Sequence, residues 1–335
     1  MERTTRFKAL VVEKTPEKQF VREIRERSLS DLEEGELVVR VHYSSLNYKD
    51  ALSATGHPGV TRQFPHTPGI DAAGEVVSCA SGAFTPGEKV LVTGYDLGME
   101  TDGGFGQYIR IPASWALKLP EGLTLRESMV LGTAGFTAAL SVMKLQRAGV
   151  RPEDGDVLVT GSTGGVGSIA VSILSQAGYR VTASTGKMAE ADYLRGLGAA
   201  AVIHRDEVSA GADKALLPER WAGAVDVVGG TTLAAVLKST KYGGTVTCCG
   251  LVGSPELPLN VYPFILRSVS LVGVDSVQAS HEIRQEVWTR LGAAWKPARL
   301  LEVVKECNLQ GLEAMIPTIL KGAIKGRIVI NLLDS

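Results

Sequence analysis

The chain has 335 residues, 44% of them hydrophobic and 21% charged, with a net charge of -1 from 35 basic and 36 acidic side chains. That length exceeds what one hydrophobic core usually serves, so two domains of roughly 100 to 200 residues each are expected. The near balance of charge excludes a surface built for nucleic-acid backbones, and the composition excludes a disordered or fibrous class. Cys79, Cys248, Cys249 and Cys307 lack the spacing of a disulfide framework or a zinc cluster, and read as reduced thiols of a cytoplasmic protein. Met1 to Lys8 has no apolar core of an export signal, and no apolar run approaches the ~18 residues that span a bilayer, so neither export nor membrane insertion is expected.

Up to about Pro120 the pattern is one of short strands: LVVRVHYSSL from Leu37, GEVVS from Gly74, EKVLVTG from Glu88 and GQYIRI from Gly106. Gly and Pro recur between them, as in HPGVTRQFPHTPG, and supply turn chemistry. A helix is then predicted through LRESMVLGTAGFTAALSVMKL, with Thr124 as its cap three residues before Glu127. From Asp156 strands and helices alternate. DVLVTG enters a glycine-rich turn, VGSIAVSILSQAG is helical, and YRVTAS, AAVIHR, GAVDVVG, GTVTCCG and SLVGVDS are further strands. Strands apolar along their whole length belong to a parallel sheet covered on both faces, so a doubly wound α/β domain is expected. Two longer helices and a last strand, GRIVINL, follow Asp275. If that strand rejoins the first domain, the β-rich domain covers 1–125 and 276–335, and the α/β domain 126–275.

The glycine-rich turn is Thr160-Gly161-Ser162-Thr163-Gly164-Gly165-Val166-Gly167. Between a strand and a helix, such glycines let backbone approach a pyrophosphate, and the helix N-terminus offers unpaired N–H groups to it. Ser162 stands where the strict fingerprint has glycine, so the match is to a variant of it. The tip of the next strand selects the cofactor. An acid there would bond ribose hydroxyls and repel a 2′-phosphate; this chain has Ser184-Thr185-Gly186-Lys187 instead, with Arg205 after the third strand. Hydroxyls, an ammonium and a guanidinium favour NADPH over NADH.

The segments SLNYKDAL (from Ser45), PHTPGIDAAGEV (from Pro65), GTAGFTAAL (from Gly132), VTGSTGGVGS (from Val159) and STGKMAEADYLRGLGA (from Ser184) together closely resemble the acrylyl-CoA reductase subgroup. That subgroup sits in the quinone oxidoreductase branch of the medium-chain dehydrogenase/reductases, and the resemblance runs along essentially the whole chain. It implies a GroES-like catalytic domain and a Rossmann domain, a homodimer, and NADPH held in the cleft between the domains. Where zinc-dependent members carry a cysteine ligand this chain has Asn47, and their Gly-His-Glu is here Gly69-Ile70-Asp71; the four-cysteine lobe is missing. His42, His57, His66, His204 and His281 are scattered, whereas catalytic zinc needs three converging protein ligands, so no metal is expected.

Without a Lewis acid, hydride addition to an alkene conjugated to a thioester or ketone fits, because hydrogen-bond donors can stabilise the developing enolate. The resemblance puts Tyr48 on the nicotinamide side, to orient the nicotinamide ribose or donate to the substrate oxygen, with Asn47, Lys49 and Asp50 as further candidates. It also puts Thr163, Gly164, Gly165 and Val166 at the pyrophosphate, Leu251 and Ile265 near the nicotinamide, Ser276 after the sixth strand, and Arg327 in reach of the cofactor. The expected reaction is NADPH-dependent reduction of a short enoyl thioester such as acrylyl-CoA. Quinone reduction is the second reading, and a nonenzymatic NADPH-binding redox sensor the third. A CoA substrate asks for basic residues for its phosphates, for which Arg62 and Arg267 are candidates.

Overall fold

The computed structural model describes residues 5–335. Its compact units are two: one of residues up to Thr133 with 277–292 and 300–335, the other of 134–276 with 293–299.

The first unit opens with the antiparallel pair β1 (Arg6–Lys14) and β2 (Phe20–Ser28). β3 (Leu37–Leu46) leads through Asn47 into the short helix α1 (Tyr48–Ala54), followed by β4 (Asp71–Cys79), β5 (Lys89–Thr93), β6 (Tyr108–Ile111) and β7 (Leu117–Lys118). The helix α2 (Leu125–Arg147) then carries the chain from one unit to the other. Its start is the reciprocal cap expected of Thr124: Thr124 N donates to Glu127 Oε2 at 2.9 Å, and Glu127 N to Thr124 Oγ1 at 3.1 Å. α2 is one helix long and apolar enough to cross a membrane, which corrects the expectation that no such run exists; 89% of its apolar window is buried within the protein, as in a core helix.

In the second unit β8 (Val157–Val159), α3 (Gly165–Gln176), β9 (Val181–Thr185), α4 (Ala191–Gly196), β10 (Ala201–His204), α5 (Arg205–Ser209), β11 (Trp221–Asp226), α6 (Gly230–Ser239), β12 (Thr240–Cys248), α7 (Tyr262–Arg267) and β13 (Ser270–Gly273) follow in turn. All pairings are parallel, in the order β10-β9-β8-β11-β12-β13. This is the doubly wound dinucleotide-binding order, which reverses between β8 and β11. Leu158, Ala224, Val236 and Val246 are among the side chains of its core.

The chain returns to the first unit with α8 (His281–Leu291), β14 (Val304–Cys307), α9 (Leu309–Leu320) and β15 (Arg327–Asn331). β15 pairs antiparallel with β3, Ile328 opposite Leu46, and completes the seven-stranded order β14-β15-β3-β4-β5-β7, with β6 also on β3. The division between units falls at 133 rather than 125, because residues of the opening turns of α2 are bonded to β4 and β15. Residues 293–299 belong with the second unit, where Gln176 donates to Lys296 O and Arg299 to Gly196 O.

Candidate functional site

In the second unit the glycine turn leaves the end of β8, where the sheet order reverses and ligands of open α/β sheets bind. Gly161 has a φ of +57°, open to glycine at little cost. A Cβ on Gly167 would lie 2.5 Å from Gly161 O and 2.8 Å from Ser162 Cα, so only glycine allows α3 to start this close to the turn. Gly164 is the N-cap of α3 and no side chain caps it, which leaves the first-turn N–H groups of Gly165, Val166 and Gly167 to an outside acceptor. Gly164, Gly165 and Val166 are half-buried; Thr163 is buried, its hydroxyl 3.3 Å from that of Thr185. An uncapped helix start with open backbone fits a dinucleotide pyrophosphate.

Behind this turn lies a residue the sequence reading passed over. Asp226, at the end of β11, is fully buried and accepts from Thr160 Oγ1 at 2.7 Å and from Gly229 N at 2.7 Å, while Thr160 Oγ1 accepts from Val227 N. Burial holds its carboxyl above the usual range, against the donors. The pair ties the turn after β8 to the turn after β11.

At the tip of β9 the four expected 2′-phosphate ligands separate. Ser184 is 1% exposed, and its hydroxyl is enclosed without a hydrogen-bond partner; the Thr185 hydroxyl accepts from Lys187 N at 2.9 Å inside the turn. Both residues are buried, and the Thr185 hydroxyl is held within the turn. Lys187 is half-buried, and burial lowers its pKa. Arg205, its side chain 73% exposed, lies over Gly186, where a Cβ would come within 3.0 Å of its Nε. Lys187 and Arg205 bring two cationic side chains to this turn. Leu251 and Ile265 are 63% and 68% exposed; Ile265 shares an exposed face of α7 with Tyr262 and Leu266, next to Val261, and Ser276 is half-buried. Arg267 is engaged by Glu219 at 3.3 Å and Lys238 O at 2.8 Å, unlike the exposed Arg62 of the first unit.

In the first unit a polar cluster is enclosed between β3, α1, β4, α2 and β15. Asp71, fully buried at the start of β4, accepts from Ser45 Oγ at 2.5 Å, Asn47 Nδ2 at 2.8 Å, and both Thr133 N and Thr133 Oγ1. Gly132 makes this approach possible. It interrupts α2 at φ 51°, ψ -156°, and a Cβ there would meet Asp71 Oδ2 at 2.5 Å, Ser45 Oγ at 2.6 Å and Arg327 Nη2 at 2.9 Å. Arg327, 3% exposed, donates to Ser45 Oγ, Asn47 Oδ1, Leu46 O and Val130 O, with Nη2 3.8 Å from Asp71. Its guanidinium is committed to this cluster, and that corrects its expected reach to the cofactor. Burial lowers its pKa while Asp71 and Asp50 oppose the shift, and arginine stays charged.

Asn47 is the N-cap of α1 and Tyr48 its first residue. Asn47 is 8% exposed with its amide spent on Asp71, Ser45 O and Arg327, so it supports the turn and has no donor left for a ligand. Tyr48 is 40% exposed and Lys49 half-buried. Asp50 is fully enclosed; its Oδ2 accepts from Asn47 N at 2.7 Å and its Oδ1 from Ile70 N at 2.8 Å. Burial, reinforced by the Asp71 charge, pushes it up to about 7.

A catalytic zinc does not fit these residues. Asn47 and Asp71 are saturated by each other and by Arg327, Ile70 is apolar, and among the described residues no three His, Cys, Asp or Glu side chains converge. The histidines serve elsewhere: His66 bonds Gly98 O, His57 accepts from Gly59 N, and His204 caps α5.

Residues 33–121 match the alcohol dehydrogenase GroES-like domain, and residues 165–292 the zinc-binding dehydrogenase domain. YhfP of Bacillus subtilis (strain 168), which carries a quinone oxidoreductase name, is 46% identical over 98% of this chain and 100% of its own. A solved structure of YhfP with NAD bound superposes with a TM-score of 0.96. AcuI of Ruegeria pomeroyi, named an acrylyl-CoA reductase, is 44% identical over 97% of this chain and 99% of its own. The structure of Escherichia coli K-12 YhdH with bound NADPH has a TM-score of 0.93 at 42% identity, covering 97% of this chain and 99% of that one. With both domain types present and likeness to these relatives from end to end, the chain belongs to the quinone oxidoreductase branch of the medium-chain dehydrogenase/reductases, alongside the acrylyl-CoA reductases.

Proposed function

We propose that this protein is a zinc-independent, NADPH-dependent reductase of the activated C=C bond of a short enoyl thioester, acrylyl-CoA being the first substrate to test. The single observation that carries the reading is the end-to-end likeness to a protein named acrylyl-CoA reductase. Bound NADPH would supply hydride to the β-carbon, and water the proton that the resulting enolate takes up at the α-carbon. The N–H groups at the start of α3 would hold its pyrophosphate, and Lys187 and Arg205 its 2′-phosphate. The Tyr48 hydroxyl would donate to the thioester oxygen as negative charge develops there, a contribution worth on the order of 10²-fold in rate for one well-placed donor. Quinone reduction is the second reading, supported by the name of YhfP.

The homodimer is part of the same proposal. Among the described residues β13 is the edge of the six-stranded sheet, and α7, packed beside β12, exposes Tyr262, Ile265 and Leu266, with Val261 exposed at its N-cap. An edge strand with an apolar face next to it suits a second copy of itself. Four free cysteines agree with a reducing cytoplasm.

Oxidation of NADPH, followed by absorbance with acrylyl-CoA and with a simple quinone, tests the substrate. Turnover of the thioester with NADPH and not NADH is expected; turnover of the quinone alone would replace the first reading with the second. The double variant Lys187→Ala, Arg205→Ala is expected to lose the preference for NADPH by about 100-fold, roughly tenfold for each charge-assisted contact.

A further inference from the structure

Tyr48 and the polar cluster differ in one respect that matters for reactivity: the tyrosine is partly exposed at the start of a helix of only seven residues, while the groups that hold that helix are enclosed. So short a helix has little stability of its own, and its geometry is imposed from outside. At its C-terminal end Arg22 donates to Ala54 O while paired with Glu313 of α9. At the N-terminal end the restraint is Asp50. One oxygen takes the N–H of Asn47, which closes the first turn, and the other takes the N–H of Ile70, at the entrance to β4.

We propose that Asp50 is a positioning residue for the reaction: by bridging the Asn47 and Ile70 amides it fixes the first turn of α1, and with it the direction in which Tyr48 presents its hydroxyl. Asp50 is 0% exposed and cannot touch substrate, so it acts through Tyr48. An amide in its place has one acceptor oxygen and an NH₂, which can satisfy one of the two N–H groups and must turn a donor toward the other. Rotation of the turn would follow, and small misplacement of a reacting group costs rate out of proportion to stability. The charged groups facing Asp50 are Asp71 from β4, which disfavours its charge, and Arg327 from β15, which favours it.

This inference rests on the assignment of Tyr48 above, and a double-mutant cycle separates the two. The full chain is assayed with NADPH and acrylyl-CoA as Tyr48→Phe, Asp50→Asn and both together, with kcat and the KM for NADPH measured for each. The expected result is a kcat loss of roughly 10- to 100-fold for Y48F, about tenfold for D50N with KM within about twofold, and a double variant no slower than Y48F. Unimpaired Y48F overturns the tyrosine assignment itself. Impaired Y48F on which the D50N loss multiplies in full, or D50N with native kcat, overturns the positioning role alone. If D50N does not fold, the pH profile decides. Native kcat should fall as pH drops through about 7, where the Asp50 carboxylate gains its proton, and this titration should be missing from Y48F; a flat native profile, or the same titration in Y48F, overturns the proposal.

Discussion

The glycine turn of the second unit and the tyrosine turn of the first are built on one plan, a short loop at the end of a strand with a buried carboxylate behind it. They differ in how the carboxylate is satisfied. Asp226 is held by uncharged donors, the Thr160 hydroxyl and the backbone N–H groups of residues 228–229. Asp50 and Asp71 share an enclosed space with Arg327, and their partners are residues 45, 47, 70, 133 and 327. An arrangement of neutral donors tolerates the loss of a partner, whereas one that relies on a buried cation fails when that single charge is removed.

The sharpest way to break this contrast is Arg327→Met. It leaves two buried acids without a cation and should cost about 3–5 kcal/mol, seen as a large fall in the urea midpoint. Asp226→Asn, by comparison, should cost about 1 kcal/mol; equal losses would erase the distinction. Gly132→Ala comes next. Positive φ and three polar atoms in the way of its Cβ predict a loss of about 2 kcal/mol in the same measurement. Gly164→Ala should change stability little, since its nearest contact would be Gly161 O at 3.4 Å, but it should raise the KM for NADPH by about tenfold if the pyrophosphate sits there.

The smallest effect is on pH dependence. Asp50 binds its proton more tightly folded, at about 7, than unfolded, near the usual 3.8. Between those values the native state holds more protons, so stability falls as pH rises through the window and levels off above the folded value. From about pH 6 to 8 the fall attributable to Asp50 is about 1 kcal/mol, and D50N should remove it from a urea titration.

The same contrast explains what the amino-acid sequence disclosed. The glycine turn lies between an apolar strand and a helix and could be read locally, as could β3 and the Thr124 cap. α1 was not foreseen, because seven residues are too few for helical periodicity to register. β2, FVREIRERS, was hidden by its charges, since its pairing with β1 is a property of the hairpin. Arg327 was assigned to a ligand by its place in the family pattern; whether a polar group faces outward or inward depends on packing that no local pattern records. One signal was present and unused. Asp71 and Asp226 each stand at the end of an apolar strand, and a buried acid must find donors, so each marked a cluster whose other members lay elsewhere in the chain.

The return of the chain in β15 sets an order of events during synthesis. Residues 134–276 of the second unit all leave the ribosome before β15 exists, and nothing prevents their sheet from closing. The first unit lacks both a strand beside β3 and the guanidinium that its two buried acids require until Arg327 has been added. The strands β1 to β7 therefore wait for β15 before their unit closes, and Tyr48 acquires its final setting only after Arg327 has been added.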